Sequence, residues 1–205
     1  GDYADVDSLR IEESEIRNNS QYGVYVGSGS TGVNTNDNAE FINLEVHDQT
    51  YDGLYLYYSP GARVIGGEYY ANRYGVYVNG AQSLVEGIEA YGNSYGIYGY
   101  SSSSSGVTQV RGNVVHDNTY EGIGAGNYVL VSGNTVYGHR DSGDSGIEIS
   151  GSGTQALDNI VYDNWYGLNV GSGSTAEGNR VYQNEIGIYG YYYSGTLQGN
   201  AVFSN

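Results

Sequence analysis

Short apolar runs alternate with polar turns along this chain, and the alternation repeats. The stretch Gly178-Asn179-Arg180-Val181-Tyr182-Gln183-Asn184-Glu185-Ile186-Gly187-Ile188 carries the unit: a turn, an apolar–aromatic strand, an Asn turn, then Gly and a second strand. It returns as Asp158-Asn159-Ile160-Val161-Tyr162-Asp163-Asn164 with Tyr166-Gly167-Leu168. It returns again as Gly112-Asn113-Val114-Val115-His116-Asp117-Asn118 with Gly122-Ile123. Indexed on the second turn residue, the units fall at Asn19, Gln49, Asn72, Asn93, Asn118, His139, Asn164, Asn184 and Asn205, about 21 residues apart where no loop intervenes. A fixed period of this size marks a solenoid. It is too short for two packed helices, and its Val, Ile and Tyr runs favour strand. The predicted fold is all-β: a right-handed parallel β-helix of about nine coils, each of roughly 21 residues and three short strands.

Aligning the units turns positions into columns. Three residues before the index stand Ile16, Val46, Val115, Val136, Val161, Val181 and Val202, an inward apolar stack. One position later come His47, Tyr70, Tyr91, His116, Tyr137, Tyr162, Tyr182 and Phe203, an aromatic column that should face outward. The next strand places Val24, Leu54, Val76, Ile97, Ile123, Ile147, Leu168 and Ile188 inward, because successive strand residues point to opposite faces. Outside them lie Tyr25, Tyr55, Tyr77, Tyr98 and Tyr189, a file interrupted by Gly124, Glu148 and Asn169. The recurring Asn residues are expected to bond turn backbone and the next Asn.

Composition narrows the partners. The chain has 205 residues, a net charge of −16 and seven basic residues, all arginine. Such a surface excludes nucleic acid, whose binding rests on cationic side chains neutralising phosphates. It also disfavours a polyanionic sugar unless cations bridge. Cysteine is absent, so thiols give no reading of redox compartment. No run approaches a membrane-spanning length, and the first residues show no basic, apolar leader. Residues 1–205 read as a single β-helix domain, a segment of a longer solenoid or filament, with Gly1 to Ile11 completing the half-coil that ends at Asn205.

His47-Asp48 and His116-Asp117 occupy one place in two coils, where an Asp beside a His could serve proton abstraction. The plainer reading makes His a substitute for Tyr in the column and Asp a turn residue. Asp141, Asp144 and Glu148 fall together around coil six and are the only calcium candidates. The Gly-Gly-x-Gly-x-Asp repeat is absent, so the expectation is a solvated acidic loop, without metal or other cofactor.

The repeats Gly67-Glu68-Tyr69-Tyr70-Ala71-Asn72 with Tyr74-Gly75-Val76, and Val115-His116-Asp117-Asn118 with Gly122, resemble those of right-handed β-helix polysaccharide enzymes. They are most similar to the catalytic modules of mannuronan (alginate) C5-epimerases. The resemblance implies a β-helix across nearly the whole chain and a catalytic role for the Asp of a His-Asp-Asn turn. Asp117 with His116 matches that turn, and Asp48 with His47 matches it with Gln49 in place of Asn. The family's Asp-Pro-His-Glu motif is absent, the only proline being Pro60.

The expectation is therefore an extracellular or cell-surface structural and adhesive module without catalytic residues. It would associate end to end with copies of itself or adjoining repeats. One alternative is a polysaccharide-modifying enzyme using Asp117, His116, Asp48 and His47. Another is a non-catalytic carbohydrate-binding module. The binding positions would be Tyr25, Tyr55, Tyr77, Tyr98 and Tyr189 on one file, and Tyr70, Tyr137, Tyr162 and Tyr182 on the other. The same rings would also stabilise parallel strands by stacking.

Overall fold

A computed structural model describes residues 9–27, 37–104, 106–190 and 195–205. Gly1 to Ser8, most of the polar excursion after Gly27, and Ser105 of the serine tract lie outside the described residues. Every strand pairing among the described residues is parallel, each strand lying against its counterpart in the next turn. The chain is a parallel β-solenoid. Three strand columns run along it, but they form two sheets, of 16 and 8 strands. Two columns merge because the pairing of Glu40–His47 and Arg63–Tyr70 continues through a corner that interrupts it in other turns, although Asn43 and Gly66 are left-handed there like the matching Gly87 and Gly112. The eight strands of the second sheet, from Val24–Gly27 to Ile186–Gly190, are separated by seven steps. The described chain therefore makes about seven turns, not the nine coils expected. Counting index residues had included the partial turns at either end.

Two buried ladders of amides lock these turns in register. In the first, Asn113, Asn134, Asn159, Asn179 and Asn200 stack. Asn159 Oδ1 accepts from Asn134 N and Nδ2 at 3.0 and 2.9 Å, while its Nδ2 donates to Val131 O and Asn179 Oδ1. The second ladder follows the index positions from Asn19 through Gln49 to Asn205. Each rung thus satisfies turn backbone that would otherwise be buried without partners, at about 1–3 kcal/mol per group. His139 takes an Asn position in this ladder. Its Nδ1 lies 2.8 Å from Asn164 Oδ1, an acceptor, and its Nε2 lies 3.2 Å from Asn118 Nδ2, a donor. The ring is therefore neutral with the proton on Nδ1.

The glycine that precedes each apolar residue of the second sheet has a steric cause. A Cβ on Gly122 would meet Gly146 O at 2.5 Å and Val136 Cγ1 at 2.6 Å, because the chain dives inward there. Inside, Val115, Val136, Val161 and Val181 face Ile97, Ile123, Ile147 and Leu168, all essentially solvent-free. Tyr69 enters the same stack whole, next to the small Ala90 of the following turn.

Burial pushes the His139 pKa down from 6.5 to about 4, against the hydrogen bond that its Nδ1 donates to Asn164, which favours charge. A base whose folded pKa is depressed contributes stability that is complete above its unfolded pKa and lost as pH falls. Urea midpoints of the native chain should drop on this account between about pH 6.5 and 4, by on the order of 3 kcal/mol. His139→Asn, which continues the amide ladder, should remove that component; parallel pH curves for the two proteins would contradict it.

Candidate functional site

The aromatic column of the first sheet is complete. His47, Tyr70, Tyr91, His116, Tyr137, Tyr162, Tyr182 and Phe203 stack with centroids 4.6–5.3 Å apart and planes within 11°. Beside it Glu15, Glu45, Glu68 and Glu89 stand in register, an arrangement of like charges that is unfavourable alone. Each faces a ring of the next turn. Tyr70 and Tyr91 hydroxyls donate to Glu45 and Glu68 at 2.8 and 3.1 Å, and His47 and His116 Nε2 lie 3.3 and 3.1 Å from Glu15 and Glu89.

These contacts define what His47, Asp48, His116 and Asp117 can do. His116 has Asp117 Oδ2 at 2.8 Å on Nδ1, Glu89 on Nε2, and Tyr91 and Tyr137 against its two faces. His47 is held likewise by Asp48 at 2.7 Å; burial opposes its charge, but bonds to Asp48 and Glu15 prevail and raise its pKa. Neither ring has a nitrogen left for a substrate, and both faces of His116 are covered. Asp48 and Asp117 take φ of 55° and 50°, and the matching residues Ala71, Gly92, Gly138, Asp163, Gln183 and Ser204 are also left-handed. Asp and Gly recur at this corner because they tolerate that conformation better than most residues.

The outer face of the second sheet is different, because its file breaks. Tyr25, Tyr55, Tyr77 and Tyr98 stack at 5.5, 4.6 and 5.3 Å. A neighbouring outward column stacks Tyr74 on Tyr95 at 4.6 Å. In the next turn the two columns hold Gly124 and Glu121, and Tyr98 is left stacked on one side only. A Cβ on Gly124 would lie 2.8 Å from Glu121 Oε2 and 3.0 Å from the Tyr98 ring. Glycine is what lets the carboxyl and the phenol share this space. One turn further, Glu148 is paired in register with Gly124, and Asp144 precedes the strand Ser145–Ile149. Beyond Glu148 opens a shallow depression of about 310 Å³, lined also by Asn169, Gly171 and Tyr189. Tyr189 stacks on Tyr166 and not on the upper file.

Nothing cationic neutralises this patch among the described residues. Six arginines lie against carboxylates elsewhere, as Arg73 does with both oxygens of buried Asp52 at 2.8 Å, and Arg180 covers Tyr182. Burial, then the charges of Glu148 and Asp144, push the Glu121 pKa up to about 7. Burial also raises Glu148, against a 2.7 Å bond from Asn169 Nδ2, and burial with Asp141 raises Asp144. The acidic loop expected around Asp141, Asp144 and Glu148 is thus half desolvated at Glu148. Glu121, which sequence reading did not single out, is its most perturbed member. Its only signal was a Glu at the position where Tyr74, Tyr95 and Tyr166 stand.

Residues 3–127, more than half of the chain, match the family described as right handed beta helix region, and the chain belongs to that family. Among solved structures it is similar to the A-modules of two Azotobacter vinelandii mannuronan C-5 epimerases, AlgE4 and AlgE6. Identity is 18% and 20%, coverage 97% of this chain and 63% and 62% of theirs, with a TM-score of 0.68 in both cases. A mutant tailspike protein of E. coli bacteriophage HK620, in complex with a pentasaccharide, also superposes with a TM-score of 0.68. Its identity is 13%, over 95% of this chain and 41% of the tailspike. The chain thus spans less than two thirds of each of these structures, and at such identities the likeness is one of fold. No curated protein sequence matches it.

A carboxyl whose folded pKa exceeds its unfolded one holds its proton more tightly when folded, so the fold loses stability as pH rises from about 4.5 through 7. Glu121→Gln should escape this loss. Its stability relative to the native chain should climb by on the order of 3 kcal/mol across that interval, read from denaturation midpoints. A constant difference at all pH values would contradict the assignment.

Proposed function

We propose that the chain is an adhesive, carbohydrate-binding β-solenoid acting outside the cell or at its surface. A saccharide chain would lie along the second sheet and seat at the break in its tyrosine file. The observation that carries this reading is the one-sided Tyr98 ring above Gly124, bordered by Glu121, Glu148 and Asn169. A ring face with acceptors at its edge suits a sugar, which offers C–H groups to an aromatic face and hydroxyls to carboxylates. The first-sheet column offers ring edges only, its faces being occupied by one another.

The same geometry favours binding over catalysis. Proton abstraction would need His116 and Asp117 free, and both are engaged in the ladder and its turn. Uncompensated carboxylates at the break also repel uronate polymers. The tailspike's solved complex with a pentasaccharide supports the use of such a fold for glycans. End-to-end joining with copies or adjoining repeats belongs to the proposal, since in a solenoid each turn is stabilised by its neighbours.

A panel of immobilised neutral, amino and acidic oligosaccharides tests the reading. Retention should favour neutral or amino sugars, and Tyr98→Ala should weaken it about tenfold, the worth of one stacking contact. Tyr162→Ala, in the filled column, should leave it unchanged. Retention of no saccharide at millimolar concentration, or equal loss from both variants, would overturn the proposal.

A further inference from the structure

We propose that the break in the tyrosine file is a cation-recognition subsite, and that it selects saccharides carrying free amino groups. The ammonium of a deacetylated amino sugar would bridge Glu121 and Glu148 of adjacent turns, with Asp144 alongside, next to the side of Tyr98 that carries no stacked ring. This inference rests on the carbohydrate-binding reading and names the sugar class.

The patch lacks a counter-ion among the described residues. Three carboxylates share two adjacent turns, while every arginine of the chain is engaged elsewhere. Among the described residues the only side-chain hydrogen bond to these carboxylates comes from Asn169, to Glu148. Glu121 faces Tyr95 and Tyr98 from the turn above and Glu148 and Asp144 from the turn below, so no neighbour offers it positive charge. A like-charged, half-buried group of this kind is unfavourable without a ligand, and an incoming cation would relieve it.

A second, independent observation points to a ligand. Ser145 stands in the outward column, in register with Tyr166 and two residues before Ile147, as Glu121 is two before Ile123. It is 1% exposed, yet its Oγ has no hydrogen-bond partner, and neither has Asp144 Oδ2 next to it. Unpaired buried oxygens beside a carboxylate patch call for donors. A primary ammonium brings three N–H donors and no acceptor.

The form of the cation follows from the spacing. Among the described residues no three carboxylate or imidazole groups converge as a metal ion requires. An ammonium bonds acceptors one by one and is also attracted to the face of an aromatic ring. The adjoining depression lined by Glu148, Asn169 and Tyr189 gives room for the next sugar units. A neutral saccharide would leave the carboxylates uncompensated, and a uronate would meet their repulsion.

Calorimetric titration of the intact chain at pH 6 tests this, with a glucosamine hexamer set against its fully N-acetylated counterpart. The amine form should bind at least tenfold more tightly. Glu121→Gln and Glu148→Gln should each weaken the amine form fivefold or more, and should weaken the acetylated oligomer by a clearly smaller factor. Glu177→Gln removes a carboxyl group from the first sheet and should have no such effect. Equal affinity for the two oligomers would overturn the inference and leave the carbohydrate-binding reading standing. Binding of neither would remove both. Equal weakening by Glu177→Gln would mean that the general negative field of the protein attracts the amine, and would overturn the subsite.

Discussion

Hydrogen bonding from one buried amide to the next, turn upon turn, is the constraint on which this structure depends. An Asn such as Asn159 completes its bonds only if Asn134 and Asn179 lie directly above and below it. That demand fixes the register of every turn, whatever loops intervene. Insertions are then expelled at corners, and every other side chain inherits a counterpart one rung away. The solenoid has little choice of pairing, because a slipped turn would strand several buried amides at once.

Register makes chemistry repeat. A Tyr at one outward position meets the Tyr of the next turn, so rings stack from His47 to Phe203. A Glu meets a Glu, and the four in the first sheet are tolerated because each faces a donor or polar ring nitrogen of the following turn. Function in such a lattice is found where the repetition fails. At Gly124 the second file loses its ring, and at Glu121 the neighbouring column exchanges a ring for a carboxyl. Both departures fall in one turn, and together they leave one aromatic side unstacked beside an acid held partly protonated near neutrality.

The fold was legible because its period is written in residues with one job each: Asn in the ladders, Val and Ile inside, Tyr outside. The turn at Asp48 and Asp117 was legible as a turn, but its left-handed conformation was not, since Ala71, Gln183 and Ser204 share it. The turn count was overstated because an index residue marks a rung and not a completed turn. The His-Asp pairs read two ways, as an acid–base pair or, more plainly, as ladder members with a turn Asp, and the fold has them stacked in the ladder. Glu121 escaped notice. Its environment is made by Tyr98, Glu148 and Asp144, residues distant in sequence that only the register brings alongside. A carboxyl's solvation is a property of its neighbours, which no local motif spells out.

Glu121 lies in a half-desolvated acidic patch that, among the described residues, has no cation of the protein's own. Carbon-13 detection of the side-chain carboxyls during a pH titration measures this directly. The account predicts a Glu121 midpoint near 7, which Glu148→Gln should lower by removing one like charge while burial keeps it above the ordinary range. A midpoint at the usual 4.5, indifferent to Glu148, would mean that the carboxyl is solvated and that the break in the tyrosine file is an ordinary stretch of surface.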